Sequence, residues 1–165
     1  MAKIDVALIG AGGMANSVPY PSLVDFEDVN LVGLCDLVES RCHETANRFG
    51  IENRYTNYQK MINDTSPTAV YVLMPPQDLF VPVIDCLQRG IHVFVEKPLG
   101  LTTYQAIEMA QLAEKNSCLT MVGFNRRFIP LLRQVKSEIE SEKPIIQCMS
   151  VFHKNSPSAL YYKGQ

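Results

Sequence analysis

Residues 4–15 read Ile4-Asp5-Val6-Ala7-Leu8-Ile9-Gly10-Ala11-Gly12-Gly13-Met14-Ala15. Ile4, Val6, Leu8 and Ile9 make an aliphatic run of strand length that stops at Gly10 and passes through Gly12 and Gly13 into residues able to start a helix. A buried strand, a glycine turn and a helix N-terminus are expected. Gly10-x-Gly12-x-x-Ala15 also fits the dinucleotide fingerprint. In it one glycine makes the tight turn, the next lets backbone approach a pyrophosphate, and a small third residue lets helix pack on strand. The phosphates would sit on unpaired helix N–H groups at the positive end of the helix dipole, with Gly13 and Met14 among the contacts. Any glycine turn between a strand and a helix can show this spacing, so its meaning depends on the rest of the chain.

Outward from the turn, short apolar runs alternate with longer amphipathic segments, the signature of βαβ units and a parallel sheet. Pro19 and Pro21 should interrupt or end the first helix early. Val29 to Cys35 reads as a second strand ending at Asp36. Glu39 to Phe49 follows as a helix with Cys42, Ala46 and Phe49 on one face and Gly50 as its cap. Arg54 and Tyr55 make a brief third strand, and Tyr58 to Ile62 a short helix. Ala69 to Met74 is continuously apolar, as a strand buried on both faces should be, and Pro75 and Pro76 stop it.

Asp78 to Arg89 reads as a helix stopped by Gly90, and Ile91 to Val95 as the fifth strand. Thr102 and Gln105 form a capping box for a helix whose core stripe is Ala106, Met109, Ala110 and Ala113. Leu119 to Val122 is a sixth strand. Phe128, Leu132, Val135 and Ile139 then face one way on a helix beginning near Arg127. The expected fold is α/β: a Rossmann-type doubly wound parallel sheet ordered 3-2-1-4-5-6, with an extra C-terminal strand over Ile145 to Phe152. Residues 1–143 would form the dinucleotide-binding domain, and 144–165 the start of a second one.

Composition narrows the function classes. A chain of 165 residues, 47% hydrophobic and 19% charged, suits one substantial core. Its net charge of -2 and lack of any Lys/Arg run offer no electrostatic footprint for nucleic acid or anionic lipid. The amino terminus lacks the basic start and apolar stretch of a signal peptide, and no apolar run approaches a membrane span, so a cytoplasmic location is expected. Cys35, Cys42, Cys86, Cys118 and Cys148 are an odd, scattered set without C-x-x-C, and His43, His92 and His153 share no helix face. Neither a disulfide framework nor a metal site is expected, and no G-x-S-x-G supports a serine nucleophile.

In doubly wound sheets ligands lie outside the strand carboxyl ends, where the winding reverses. Asp36 ends strand two. Its carboxylate can accept from the adenosine ribose hydroxyls and would repel a 2′-phosphate, which favours NAD over NADP. The same side chain could instead cap the following helix, and Arg41 could neutralise it. Strand four yields Met74-Pro75-Pro76-Gln77 and strand five Glu96-Lys97-Pro98, both facing the crevice of Gly10. By themselves Glu96, Lys97 and Pro98 could equally form a solvated loop.

With Glu96-Lys97-Pro98-Leu99 and Gly123-Phe124-Asn125-Arg126-Arg127-Phe128 added to the fingerprint, Asp36 and the Pro-Pro turn, the chain resembles the glucose–fructose oxidoreductase, inositol dehydrogenase and MocA family from about Ile4 to Phe128. The resemblance implies a Rossmann domain followed by a larger α/β domain, and NAD(P)-dependent hydride transfer on sugars, inositols or related alcohols. It also implies that Lys97 lies near the nicotinamide and helps polarise the reacting oxygen. Glu96 would orient cofactor or lysine, Pro98 would follow a cis peptide, and Asn125 and Arg127 would line the nicotinamide side. Two departures stand out. Leu79 sits near where the family often has a histidine, and the family's acid/base histidine and aspartate come from a second domain that these residues do not include. The chain is therefore expected to be the cofactor domain of a larger enzyme or a truncated relative, with a non-catalytic NAD-binding regulatory module as the alternative. The strand at 145–152, without its neighbours, would support a homodimer or be poorly ordered, with Ser156 to Gln165 as a tail.

Overall fold

The computed structural model describes residues 3–142, 144–149 and 151, and the chain divides into two compact units, Met1–Phe124 and Asn125–Gln165. The first contains one sheet of six strands: β1 (Ile4–Ile9), β2 (Val29–Cys35), β3 (Arg54–Tyr55), β4 (Ala69–Val72), β5 (His92–Val95) and β6 (Thr120–Val122). All adjacent pairs are parallel and the order is β3-β2-β1-β4-β5-β6, the doubly wound arrangement the periodicity predicts.

Side chains alternate across a strand, so the sheet buries two layers. Ala7 and Ile9 join Val70, Val72, Val93 and Val95 in a core closed by Met61, Val83, Leu87 and Met109. Val6 and Leu8 point the other way, into a core with Leu34, Tyr20, Leu23, Cys42 and Ala46. The helices that cover these layers are α1 (Gly13–Ser17), α2 (Pro19–Val24), α3 (Glu39–Phe49), α4 (Tyr58–Thr65), α5 (Phe80–Gln88) and α6 (Thr103–Lys115).

Several boundaries carry a physical reason. Pro19 ends α1 as expected but also starts α2, because at a helix's first position its missing N–H has no intrahelical acceptor to lose. Gly50 closes α3 in the left-handed conformation at φ 67°. The fourth helix runs three residues past the expected Ile62. It is capped by Asn57, whose Oδ1 accepts from Lys60 N at 2.8 Å, and braced by a Lys60–Asp64 pair at 2.6 Å. The Thr102 hydroxyl accepts from Gln105 N at 3.2 Å, while Gln105 Oε1 takes Leu101 N, one residue before the cap position, at 2.8 Å. On α6, Met109 and Ala113 are buried and Ala106 half-buried, but Ala110 is exposed, so the stripe is narrower than expected.

In the second unit a 3-10 turn (Asn125–Phe128) precedes α7 (Pro130–Glu142), which starts after Arg127 because Pro130 favours a first helical position. Leu132, Val135 and Ile139 are exposed. Residues 144–149 form no strand, contrary to the apolar pattern of 145–152. Apolar alternation makes a strand only where another strand completes its hydrogen bonds. Phe152, His153 and the tail from Ser156 lie outside the described residues.

Candidate functional site

Register places the strand ends side by side. Cys35 pairs with Tyr55 and with Ile9, Ile9 with Val72, Val72 with Val95, and Val95 with Val122. The residues that follow each strand, Gly10, Asp36, Thr56, Leu73, Glu96 and Gly123, therefore emerge along one edge. Winding reverses between β1 and β4, the place where such sheets bind ligands.

At that point Gly10 turns at φ 101°, with its N–H on Cys35 O at 2.8 Å. A Cβ there would lie 2.3 Å from the Leu73 carbonyl oxygen, so only glycine lets β1 and the end of β4 approach this closely. Gly12 is different. As N-cap of α1 it has φ -72° and ψ 171°, and its Cβ position meets nothing within 4 Å. The space in front of Gly12 is open, so backbone is accessible at this point of the turn. Ala15 is buried against the sheet, as a small third residue should be, while Gly13 and Met14 are exposed at the first turn. The first helix has only five residues, the early end that Pro19 predicts, so an anion here would be held by local N–H groups more than by a helix dipole.

Asp36 spans the crevice. Its Oδ2 accepts from Ala11 N at 2.7 Å and its Oδ1 from Val38 N at 2.8 Å. It closes a local turn before α3, whose cap position Val38 has no side-chain cap bond, and it ties the end of β2 to the glycine turn. A cleft of about 460 Å³ opens beside it, lined by Gly10, Gly12, Asp36, Met74 and Pro75 among the expected residues. Leu37, Val38, Arg41, Thr56, Asn57, Tyr58 and Asp78 also line it. Residue spacing does not single these out as a group, although the strand order contains the signal. The end of β3 lies beside the end of β2, and Asp36 N donates to Tyr55 O at 3.1 Å. Thr56 to Tyr58 must then rim the crevice of Asp36.

Pro76 is half-buried and Gln77 exposed in a turn closed by Asp78 N on Pro75 O at 2.9 Å; neither lines the cleft. Leu79 is fully buried in the core, and its side chain offers no polar contact. Glu96 follows β5, held by its N–H on Val72 O at 3.2 Å, and its Oε2 accepts from Lys97 N at 2.9 Å. The Lys97–Pro98 peptide is cis, and both side chains are exposed. Gly123 makes room for this loop, since a Cβ there would lie 3.1 Å from Glu96 Oε1. Asn125 and Arg127 belong to the 3-10 turn of the second unit.

Cys35 also lines the cleft, but burial, with Cys42 and Asp36 nearby, pushes its thiol up to about 12. It is a protonated packing group and no nucleophile. Among the described residues no cluster of His, Cys, Asp or Glu could hold a metal ion, and no helix is long and apolar enough to cross a membrane.

Residues 4–124 match the model of an oxidoreductase family with an NAD-binding Rossmann fold. The chain is 30% identical over 134 residues to the D-glucoside 3-dehydrogenase of Escherichia coli, a match covering 81% of this chain and 38% of the relative. It is 29% identical over 136 residues to the myo-inositol 2-dehydrogenase of Thermotoga maritima, covering 82% and 40%. Among solved structures, a 3-ketoreductase from Actinomadura kijaniata in complex with TDP-benzene and NADP superposes with a TM-score of 0.77 at 26% identity, covering 84% of this chain and 44% of that one. The chain thus spans about two fifths of the length of these relatives.

Proposed function

Because the chain belongs to the GFO_IDH_MocA oxidoreductase family, we propose that it is the cofactor-binding part of a nicotinamide-dependent dehydrogenase, with residues 1–143 as the cofactor domain, 144–165 leading into a substrate domain, and NAD preferred over NADP. The observation that carries the reading is the junction of Asp36 with the glycine turn. A carboxylate 2.7 Å from Ala11 N stands beside an open pyrophosphate cradle, so the ribose and phosphates of one dinucleotide fit next to each other. Two backbone N–H groups occupy two of the roughly four acceptor positions of this carboxylate, which leaves acceptors for ribose hydroxyls. The same negative charge opposes a 2′-phosphate. Leu37, Val38, Met74 and Pro75 supply apolar walls for the adenine.

Gly10, Gly12, Gly13, Met14 and Ala15 would take the pyrophosphate and its helix turn, and Met74 to Gln77 the middle of the cofactor. Glu96, Lys97 and Pro98 would serve the nicotinamide end. The nicotinamide, when bound, supplies hydride transfer to or from the carbon of an alcohol or carbonyl. Lys97 Nζ would donate to the substrate oxygen as it gains negative charge, and Glu96 fixes the lysine's backbone through the 2.9 Å bond. The dehydrogenase activities named for the two relatives support a sugar, cyclitol or related alcohol as the substrate class. The acid/base partner would come from the substrate domain.

Titration calorimetry with NAD and NADP tests the cofactor assignment. NAD should bind about tenfold or more tightly than NADP, in keeping with one unfavourable charge contact. Tighter NADP binding would overturn the preference, and failure to bind either would overturn the site. Formation of NADH from inositols or glycosides by a protein that carries the substrate domain tests the reaction, and none from such a protein that binds NAD would refute it.

A further inference from the structure

A phosphate needs N–H groups turned toward it and carbonyl oxygens turned away. In the glycine turn three successive carbonyls are drawn inward by side chains. The Tyr20 hydroxyl donates to Gly10 O. The Asn16 amide donates to Ala11 O at 3.0 Å and to Gly12 O at 3.1 Å. The donors are themselves fixed. Asn16 Nδ2 also lies 3.0 Å from Thr45 Oγ1, whose hydroxyl donates back to Asn16 Oδ1 at 3.2 Å. Tyr20 is fully buried at the start of α2, its ring edge-on to Phe49 at 5.9 Å. Burial raises its phenol well above the ordinary tyrosine value, so the hydroxyl stays a donor.

We propose that Asn16 and Tyr20, braced by Thr45 and Phe49, are positioning residues that hold the carbonyls of Gly10, Ala11 and Gly12 away from the pyrophosphate and so preset the turn for it. This rests on the dinucleotide reading of the turn. Two observations separate the role from ordinary packing. First, α1 is five residues long, so anion affinity here depends on local backbone orientation. Second, Thr45 is 4% exposed in the middle of α3, where a hydroxyl is costly unless bonded, and the group it bonds is the amide that holds the turn. Ala11 N is drawn the other way, onto Asp36, so the turn is held from both sides.

The test compares ADP-ribose, which carries the pyrophosphate, with adenosine, which does not. Both are titrated into the parent and into Tyr20→Phe, Asn16→Asp, Thr45→Val and Thr45→Ser. Tyr20→Phe keeps the ring and should weaken ADP-ribose about five- to tenfold, the equivalent of one lost hydrogen bond. Asn16→Asp removes the donor and turns a charge toward two carbonyls, so its loss should be larger, about tenfold or more. Thr45→Val should weaken ADP-ribose in the same direction, Thr45→Ser should restore the parental value, and adenosine should change less than about twofold throughout. Equal weakening of both ligands would reduce these residues to packing and overturn the proposal, as would unchanged ADP-ribose affinity. If Asn16→Asp fails to fold, Tyr20→Phe decides. A parent that binds neither ADP-ribose nor NAD would sink the dinucleotide reading itself; a parent that binds both, with variants indistinguishable from it, sinks only the positioning role.

Discussion

Alanine at Gly10 and alanine at Gly12 should fail in different ways. At Gly10 the new Cβ would lie 2.3 Å from Leu73 O and 3.0 Å from Leu73 C, backbone atoms that cannot swing aside. Leu73 N donates to Ile9 O at 2.8 Å, so the two segments cannot part without straining that bond. Overpacking costs about 1–3 kcal/mol. A non-glycine residue at φ 101° adds roughly 1–3 kcal/mol. The sum, roughly 2–6 kcal/mol against a typical stability of about 5–15, should lower the melting temperature by roughly 4–24 °C. At Gly12 the backbone is ordinary and the methyl enters open space. Thermal stability should stay within about 1 kcal/mol, a weaker cap being offset by lower unfolded-chain entropy. NAD affinity should nonetheless fall tenfold or more, about 1.4 kcal/mol, because the methyl fills the pyrophosphate's approach. Circular dichroism melts and NAD calorimetry on the two variants measure both effects. A Gly10→Ala protein melting with the parent would refute the packing argument, and a Gly12→Ala protein binding NAD normally would remove the pyrophosphate from this turn.

Asp36→Ala should weaken NAD by about tenfold or more and narrow the NAD/NADP difference, since a charged acceptor contributes about 1.5–3 kcal/mol; parallel titrations with both cofactors measure it. Lys97→Ala should leave ADP-ribose affinity unchanged while slowing hydride transfer, because Lys97 is exposed and lies outside the cleft of Asp36; single-turnover NADH formation separates the two. Burial raises Cys35 and Cys86 from 9.0 to about 12, so the folded chain keeps protons that the unfolded chain releases. Their contribution to stability is complete below pH about 9 and is lost as pH rises toward 12; urea midpoints that stay level up to pH about 10.5 would contradict it.

The sheet was legible because its signals are local. Each apolar run ends in glycine, proline or a charge, and parallel strands buried on both faces need no alternation to be recognised. Strand order then followed from winding rules. The glycine turn, Asp36 and the Pro-Pro turn could be placed together for the same reason, since each follows a strand. What escaped the reading depends on side-chain reach. Asn16 of α1 meets Thr45 of α3, Tyr20 of α2 reaches Gly10 O, and no spacing in the sequence announces that a threonine mid-helix will bond an asparagine 29 residues earlier. Val38, Thr56 and Tyr58 line the cleft only because β3 lies beside β2. The strand expected over 145–152 failed at 144–149 for the opposite reason: its pattern is local, but a strand needs a neighbour that pattern cannot supply.

The 2.7 Å contact between Asp36 and Ala11 N also bears on any attempt to redesign this protein for NADP. Replacing the acid by alanine or glycine, to admit a 2′-phosphate, would strip the glycine turn of a backbone partner at the same stroke, and both cofactors would bind less well. Asparagine is the better replacement. Its single amide oxygen can accept from Ala11 N in place of the carboxylate, giving up the Val38 N bond, while the negative charge that would oppose the extra phosphate is gone. A basic partner at Leu37, which is 81% exposed beside it, would complete the exchange. Selectivity and loop geometry are a single design variable here, and the two positions have to be changed as a pair.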